Sequence, residues 1–379
     1  MSSIAFHTFR GSRAKIATAL LLTGAVGAGS YHYERKRRQF NNRNNNDNNN
    51  RNNRDFAKAL FGFSTGTAAA TLTDESNVKV ATLSDIHSFK EYQQIYNDIA
   101  KKIEEEDDFD VDGSAGPNLV RLAWHSAGTY DKNDKNPHTN GGSYGGTMRF
   151  SKEGGDGANN GLAKGREFLE PLLKKYTWLS HGDLWTLAGV AAIQEMGGPK
   201  IKWRPGRKDL SEEYQAPNGK LPDAAQGPDY VRKFFNRLDF TDREMVALIG
   251  AHTLGRCHVT SSGYDGPWDF APTMFDNGFF TQLQKGVGKG EGQWHLRKWD
   301  GPEQYEDNNS NSLMMLPADM ALVQDPKFKK IVDEFAASQE AFFNEFAPAF
   351  QKLLENGIQF PKESKEFVFR TLDEQSSGL

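Results

Sequence analysis

A mostly α protein with two helical lobes and minor short β structure is predicted, on three observations. Beyond about Ser88 apolar residues recur with the 3.6-residue period of a helix. No segment of clean period-two alternation reaches strand length. Clusters of Gly, Pro, Asn and Asp at 132–146, 153–161, 215–228 and 285–311 separate the periodic runs. The periodicity predicts helices over Phe89–Glu105, Pro117–Gly128, Leu162–Tyr176, Gly182–Met196, Asp229–Leu238, Asp242–Gly255, Phe328–Ala337 and Glu340–Leu354. Ser180, three residues before Asp183, suits the N-cap of the fourth. Thr241 and Glu244 form a capping box for the sixth, whose apolar stripe is Met245, Leu248 and Ile249. The Gly-rich run Asn140–Gly146 has neither a Gly-Lys-Ser/Thr ending nor a preceding strand, so it reads as a turn or short β element rather than a phosphate loop. A lobe boundary near Gly227 gives units of about 71–226 and 227–379, and no internal repeat is evident.

A chain of 379 residues can bury a large cofactor completely. Its one cysteine, Cys257, excludes an intramolecular disulfide framework and a thiolate-built zinc cluster. The net charge of −4 hides a split: residues 1–55 carry ten Lys/Arg against Glu34, Asp47 and Asp55, leaving 36 basic and 47 acidic residues beyond, a balance of −11. Arg10, Arg13 and Lys15 precede a small and apolar run from Ile16 to Gly29, and Arg35–Arg38 follows. Residues 41–53 are almost pure Asn and Arg, too polar to offset their ordering entropy. Residues 1–70 therefore read as a targeting leader and disordered linker, with maturation near Ala68–Ala70. The apolar run is short of the roughly 20 residues of a stable span, so no membrane anchor is expected in the mature form. No basic stripe marks the acidic body, which argues against nucleic acid as a partner.

Two segments carry chemistry. In Leu119–Gly128, Arg121 and His125 stand at i and i+4 with Trp124 beside them, so one helix face presents a fixed cation, a flat indole and a proton carrier. Cleaving a peroxide O–O bond needs a base for one oxygen and positive charge near the departing one. In Gly250–His258, glycines at 250 and 255 allow close approach of something bulky and planar, and His252 is a candidate axial iron ligand. A ligating histidine commonly donates its second ring N–H to a carboxylate, and Asp319 is the candidate. Each has a blander reading. His125 and His252 could be satisfied core histidines, Asp319 could cap the turn after Pro317, and Trp268 could be an aromatic packed after Gly266-Pro267. Met314 and Met315 read as core filler.

Seven segments in order, LVRLAWHSAGTYDK, NGGSYGGTMRF, GDLWTLAGVAAIQEMGGPKI, DREMVALIGAHTLG, SGYDGPW, MMLPADMALVQDP and TLDEQSSGL, resemble the class I haem peroxidases, most closely the fungal mitochondrial branch that oxidises cytochrome c. The likeness runs from about Ser88 to Leu379. It implies the plant/fungal haem peroxidase fold, with one b-type haem between the two lobes. It implies a reaction in which hydrogen peroxide is reduced to water by two reduced cytochrome c molecules, through ferryl haem and a tryptophan radical. The site residues it implies are Arg121 and His125 as the distal pair, Trp124 over the haem face and Asn159 orienting His125. On the other side it implies His252 as iron ligand, Asp319 as its partner, Trp268 as the radical site, and His258 and Ser262 near the haem propionates. Asp107, Asp108, Asp373 and Glu374 fall where the family docks its lysine-rich donor. No Cys-x-x-Cys-His occurs, so haem attached through that motif is excluded. The leader then suits delivery to the mitochondrial intermembrane space, ahead of the matrix, of a monomeric enzyme.

Two alternatives stay open at this point. HSAGTYD, HTLGRCH and MFDN lean towards the ascorbate-type branch, and an ascorbate or dual-specificity enzyme is the first. That branch often holds a cation near the tryptophan; Thr253 and Asp276 match its ligands, whereas Asp269 and Ala271 depart from them. Its substrate-holding arginine falls at Ser261 here, which favours the protein donor. The second is a non-catalytic haem protein that senses or carries a gas, a role that does not need Arg121 beside His125.

Overall fold

The computed structural model describes residues 78–83, 87–285 and 293–377, so the leader, the linker and the expected processing site lie outside the described residues. Ten α-helices of six residues or more occur among them: α1 (Phe89–Glu105), α2 (Gly116–Ala127), α3 (Leu162–Lys175), α4 (His181–Glu195), α5 (Pro228–Arg237), α6 (Asp242–Ile249), α7 (Gly278–Leu283), α8 (Pro317–Gln324), α9 (Pro326–Ala337) and α10 (Gln339–Glu355). All eight helices read from periodicity are present. Among the described residues, no helix is long and apolar enough to cross a membrane.

Caps set several boundaries as expected. Ser180 Oγ accepts from the Asp183 amide at 3.1 Å, and Thr241 and Glu244 complete a reciprocal box at the start of α6. One boundary differs: α6 stops at Ile249 and a 3₁₀ turn, Gly250–Thr253, replaces its expected last turn. His252 therefore sits on a 3₁₀ turn, not on an α-helix. Gly250 explains the change. It favours helix exit, and the rings of Phe280 and Phe342 press where its side chain would be, at 2.6 and 2.7 Å from an added Cβ. The bulky planar groups against Gly250 are thus protein rings, and Gly255 faces Pro117 in the same way.

Asn140–Gly146 forms no strand; Ser143–Gly145 and Thr147–Arg149 are 3₁₀ turns, and Gly141, Gly142 and Gly146 adopt positive φ. Short strands appear where the sequence is least regular. β1 (Lys79–Val80) pairs in parallel with β7 (Ile358–Gln359), and β2 (Arg256–Cys257) pairs antiparallel with β3 (Gly266–Pro267). β4 (Trp294–Leu296), β5 (Tyr305–Asp307) and β6 (Met314–Met315) form a three-stranded antiparallel sheet. Met314 and Met315 are buried core filler.

The core positions the candidate site. Helix α4 is buried almost all round, and Gly189 lets it lie against Ala123 of α2, at 2.4 Å from an added Cβ. Helix α10 packs on both α2 and α6, with Phe342 against Gly250 and Phe350 beside Gly189. The element carrying His125 and the one leading to His252 are thereby braced by the same helix.

Candidate active site

On α2 the interior end of Leu119–Ala127 buries His125 at 8% exposure. Its Nδ1 meets Asn159 Oδ1 at 2.9 Å. Asn159 is buried in turn, and its Nδ2 donates to the Glu153 carbonyl at 2.8 Å. An amide oxygen accepts only, so Nδ1 carries the proton and Nε2 is left as the free base. Burial first, and the Arg121 guanidinium second, hold this imidazole well below the ordinary histidine range. It is neutral at pH 7.

Arg121 needs no anion to be stable in this structure. Its Nη1 donates to Asn160 O and its Nη2 to Ala158 O, both at 2.8 Å. Trp124, the third residue of that face, stacks on Phe235 with centroids 5.8 Å apart and lies edge-on to His125.

The second half converges on one carboxylate. Asp319, fully buried, receives His252 Nδ1–H on Oδ1 at 2.7 Å and Trp268 Nε1–H on Oδ2 at 2.7 Å. It also accepts the Leu316 amide at 2.8 Å, closing the first turn of α8. Cap and partner are therefore one residue. The His252 and Trp268 rings stack with centroids 4.4 Å apart and planes 19° from parallel.

Beyond Gly255 the chain runs over the start of α2. His258 Nε2 pairs with Asp110 Oδ1 at 2.8 Å, and the Ser262 hydroxyl donates to the His258 carbonyl at 3.2 Å. Asp110 is a neighbour that sequence reasoning missed; only its place in the acidic stretch before α2 hinted at it. Ser261 lies beside Gly161, which also borders Arg121. Cys257, buried between the two halves, feels both Asp319 and Arg121, and burial pushes its thiol up to about 12. It is not a nucleophile there.

Thr253, Asp269 and Asp276 also meet: the Thr253 hydroxyl lies 3.0 Å from Asp276 Oδ1 and 3.4 Å from Asp269 Oδ2. Burial, helped by the Asp276 charge, raises the Asp269 carboxyl. Of the acidic residues, Asp107, Asp108 and Asp373 are exposed, whereas Glu374 is engaged by Lys200 and by the Thr371 amide.

The peroxidase family model matches residues 95–338, and the chain belongs to the peroxidase family. It is 51% identical over 359 residues to the mitochondrial cytochrome c peroxidase of Candida albicans, covering 94% of this chain and 92% of that protein. It is 51% identical to the Neurospora crassa protein of the same name, covering 75% of this chain and 76% of that protein. To the Yarrowia lipolytica one it is 52% identical, covering 74% and 79%.

Membership of this family implies a haem, and the donor set fits one. The His252 side chain is 37% exposed, its Nδ1 is fixed by Asp319, and its Nε2 has no hydrogen bond among the described residues. An oriented imidazole with one open nitrogen is the donor that an iron ion needs.

Proposed function

We propose that this chain reduces hydrogen peroxide to water with electrons from two reduced cytochrome c molecules, using one b-type haem held by His252. The observation that carries the reading is Asp319 bonded to both His252 and Trp268 at 2.7 Å. A carboxylate on Nδ1 lends the ligand imidazolate character, which favours higher oxidation states of a metal on Nε2. The same negative charge lowers the cost of removing an electron from the indole. Two roles that the reaction requires thus share one anion.

When bound, the haem supplies the redox centre that accepts the oxidising equivalents of peroxide. The protein handles protons and charge. Neutral His125 takes the proton from the inner peroxide oxygen on Nε2 and returns it to the outer one, which leaves as water. Asn159 keeps Nδ1 protonated and the ring oriented. Arg121, released from the 158–160 carbonyls, stabilises the charge that builds on the departing oxygen. Trp268 stores one equivalent as a cation radical and is refilled by the donor. Trp124 would line the pocket of a bound haem beside His125, and His258 and Ser262 would hold its propionates. Two lobes divided near Gly227 would enclose the group.

Charge supports the choice of donor. The acidic body, with Asp107, Asp108, Asp373 and Glu374 at the donor-docking positions, complements a lysine-rich protein. The names of the relatives and the basic leader support a mitochondrial location, and the leader's two-part pattern the intermembrane space. The enzyme acts as a monomer. A cation between Thr253, Asp276 and Asp269 would lower the Asp269 carboxyl back towards its ordinary range.

Trp268→Phe tests the reading. Stopped-flow mixing with peroxide should proceed at the parent rate, while steady-state oxidation of reduced cytochrome c falls by about 10²-fold or more. Turnover equal to the parent's would remove Trp268 from electron transfer. Faster oxidation of ascorbate than of cytochrome c by the parent would assign the other donor.

A further inference from the structure

The chemistry above leaves a half-buried cation without a role. Arg237 is the last residue of α5, and its four hydrogen bonds among the described residues all go to main-chain carbonyls. Nη2 donates to Gly128 O at 3.0 Å and to Lys220 O at 2.8 Å. Nη1 donates to Thr129 O at 3.2 Å and to Tyr130 O at 2.5 Å. Gly128, Thr129 and Tyr130 form the turn that follows α2, the helix presenting Trp124 and His125. A guanidinium is a planar fork of fixed donors, and both of its prongs grip this turn. Its charge also lies at the carbonyl end of α2, where the helix dipole favours a cation.

The turn is seated from other sides too. The Gly128 amide donates to Trp124 O at 2.7 Å, and an added Cβ on Gly128 would stand 3.1 Å from the Trp124 ring. The indole therefore lies over the residue that Arg237 holds. Thr129 Oγ1 accepts the Gly142 amide at 2.9 Å, and Gly141 passes so close that its added Cβ would stand 2.3 Å from Thr129 O. The Asp131 amide donates to Asn140 O at 2.9 Å, and the Lys132 amide to Arg237 O at 3.1 Å. Two residues ahead of Arg237 on α5, Phe235 carries the ring stacked on Trp124. The end of α2 is thus held between α5 and the Gly-rich loop.

We propose that Arg237 is a positioning residue for the peroxide reaction. Its fork fixes the turn that closes α2, and with it the last turn of that helix, where His125 stands. Asn159 sets the plane of the imidazole, and Arg237 sets the backbone that carries it. The inference rests on His125 being the base. Without the fork, three carbonyls lose their donor, the turn loosens and the imidazole loses its fixed place. A misplacement of about 1 Å in a reacting group can cost about 10²-fold in rate.

Arg237→Lys keeps the charge and removes the fork. The peroxide rate, Tm and amide hydrogen exchange are measured on the full chain for the parent, Arg237→Lys, His125→Leu and the double variant. Arg237→Lys should react with peroxide about tenfold more slowly, a partial misplacement, while the haem absorption band persists. In the His125→Leu background, where no imidazole remains to be placed, the same substitution should change the rate by less than about twofold. Tm should fall alike in both backgrounds. Exchange should quicken by about tenfold at the amides of Gly128 and Tyr130, which bond to Trp124 O and Ala127 O, and this readout does not depend on haem. A parent-like rate at lowered Tm would make the arginine a structural residue only and overturn the proposal. Equal slowing in both backgrounds, or a slowed reaction with exchange unchanged, would overturn it as well. If Arg237→Lys does not fold, Arg237→Gln, a planar amide with two donors and no charge to bury, takes its place under the same expectations. An unchanged rate in His125→Leu alone would instead sink the base assignment, a failure seen without any Arg237 variant.

Discussion

At the scale of single residues, the site is a pair of imidazoles made chemically different by what touches Nδ1. His125 faces an amide oxygen, which orients it without adding charge, whereas His252 faces a buried carboxylate. The first suits a proton carrier and the second an electron-rich ligand. His125→Leu should slow the peroxide reaction by about 10²- to 10⁴-fold while the haem absorption band persists, because the proposed ligand, His252, is left untouched. An unchanged rate would show that another group takes the proton. In the parent, the lowered pKa of His125 keeps the base neutral as pH falls, so the rate should hold past about 6.5 and decline only in stronger acid. Stability moves with it. Since the unfolded imidazole protonates first, the contribution of this residue is present above about pH 6.5 and is lost as pH falls towards the folded value. A pH series of melting curves for the parent and His125→Leu checks the sign.

At the scale of elements, the legible parts were those governed by local rules. Helices with an apolar stripe and a side-chain cap, such as α1 and α6, follow from spacing alone, and so does the shared face of Arg121, Trp124 and His125, whereas α4, buried almost all round, has its start marked by the Ser180 cap. Helix α8 was not legible as a helix. Its Pro317–Gln324 sequence is apolar on most sides because it is packed on several, so no period stands out, and its cap is the same Asp319 that serves the site. The strands were illegible for another reason: two or three residues cannot show alternation, and their partners lie far along the chain, as Lys79 and Ile358 do. The 3₁₀ turn bearing His252 depends on rings from α7 and α10, which no local pattern reports. One local rule can be tested directly. Thr241→Ala removes the cap that starts α6, exposing the Glu244 amide, and should cost about 1 kcal/mol. For a folded body of this size that is roughly 2–4 °C in Tm, with the peroxide reaction unchanged. A drop in the reaction rate at unchanged Tm would mean that the cap acts on His252 rather than on the helix.

At the scale of the whole molecule, function depends on the contrast between a dry, braced interior and a charged exterior. Helix α10 packs on both the helix bearing His125 and the helix leading to His252, so one element braces the two segments. Outside, residues 56–379 carry 47 acidic against 36 basic side chains, and encounter with a basic protein should be steered by that field. Steering is long-ranged and is screened with a Debye length of about 10 Å at 0.1 M salt. The peroxide reaction concerns a neutral molecule in a buried site and has no such dependence. Raising ionic strength from about 0.01 to 0.1 M should therefore lower kcat/KM for reduced cytochrome c steeply and leave the peroxide rate flat. The individual acids are not equivalent. Asp108 and Asp373 are exposed, so reversing either to Lys should lower the association rate at low salt by about tenfold and converge on the parent at high salt. The Glu374 charge is already balanced by Lys200 and its oxygen serves the Thr371 amide, so Glu374→Gln should change association less and Tm more. Association rates with cytochrome c at two salt concentrations separate these cases. Equal effects at Asp108, Asp373 and Glu374 would mean that the donor responds to total charge rather than to a docking patch.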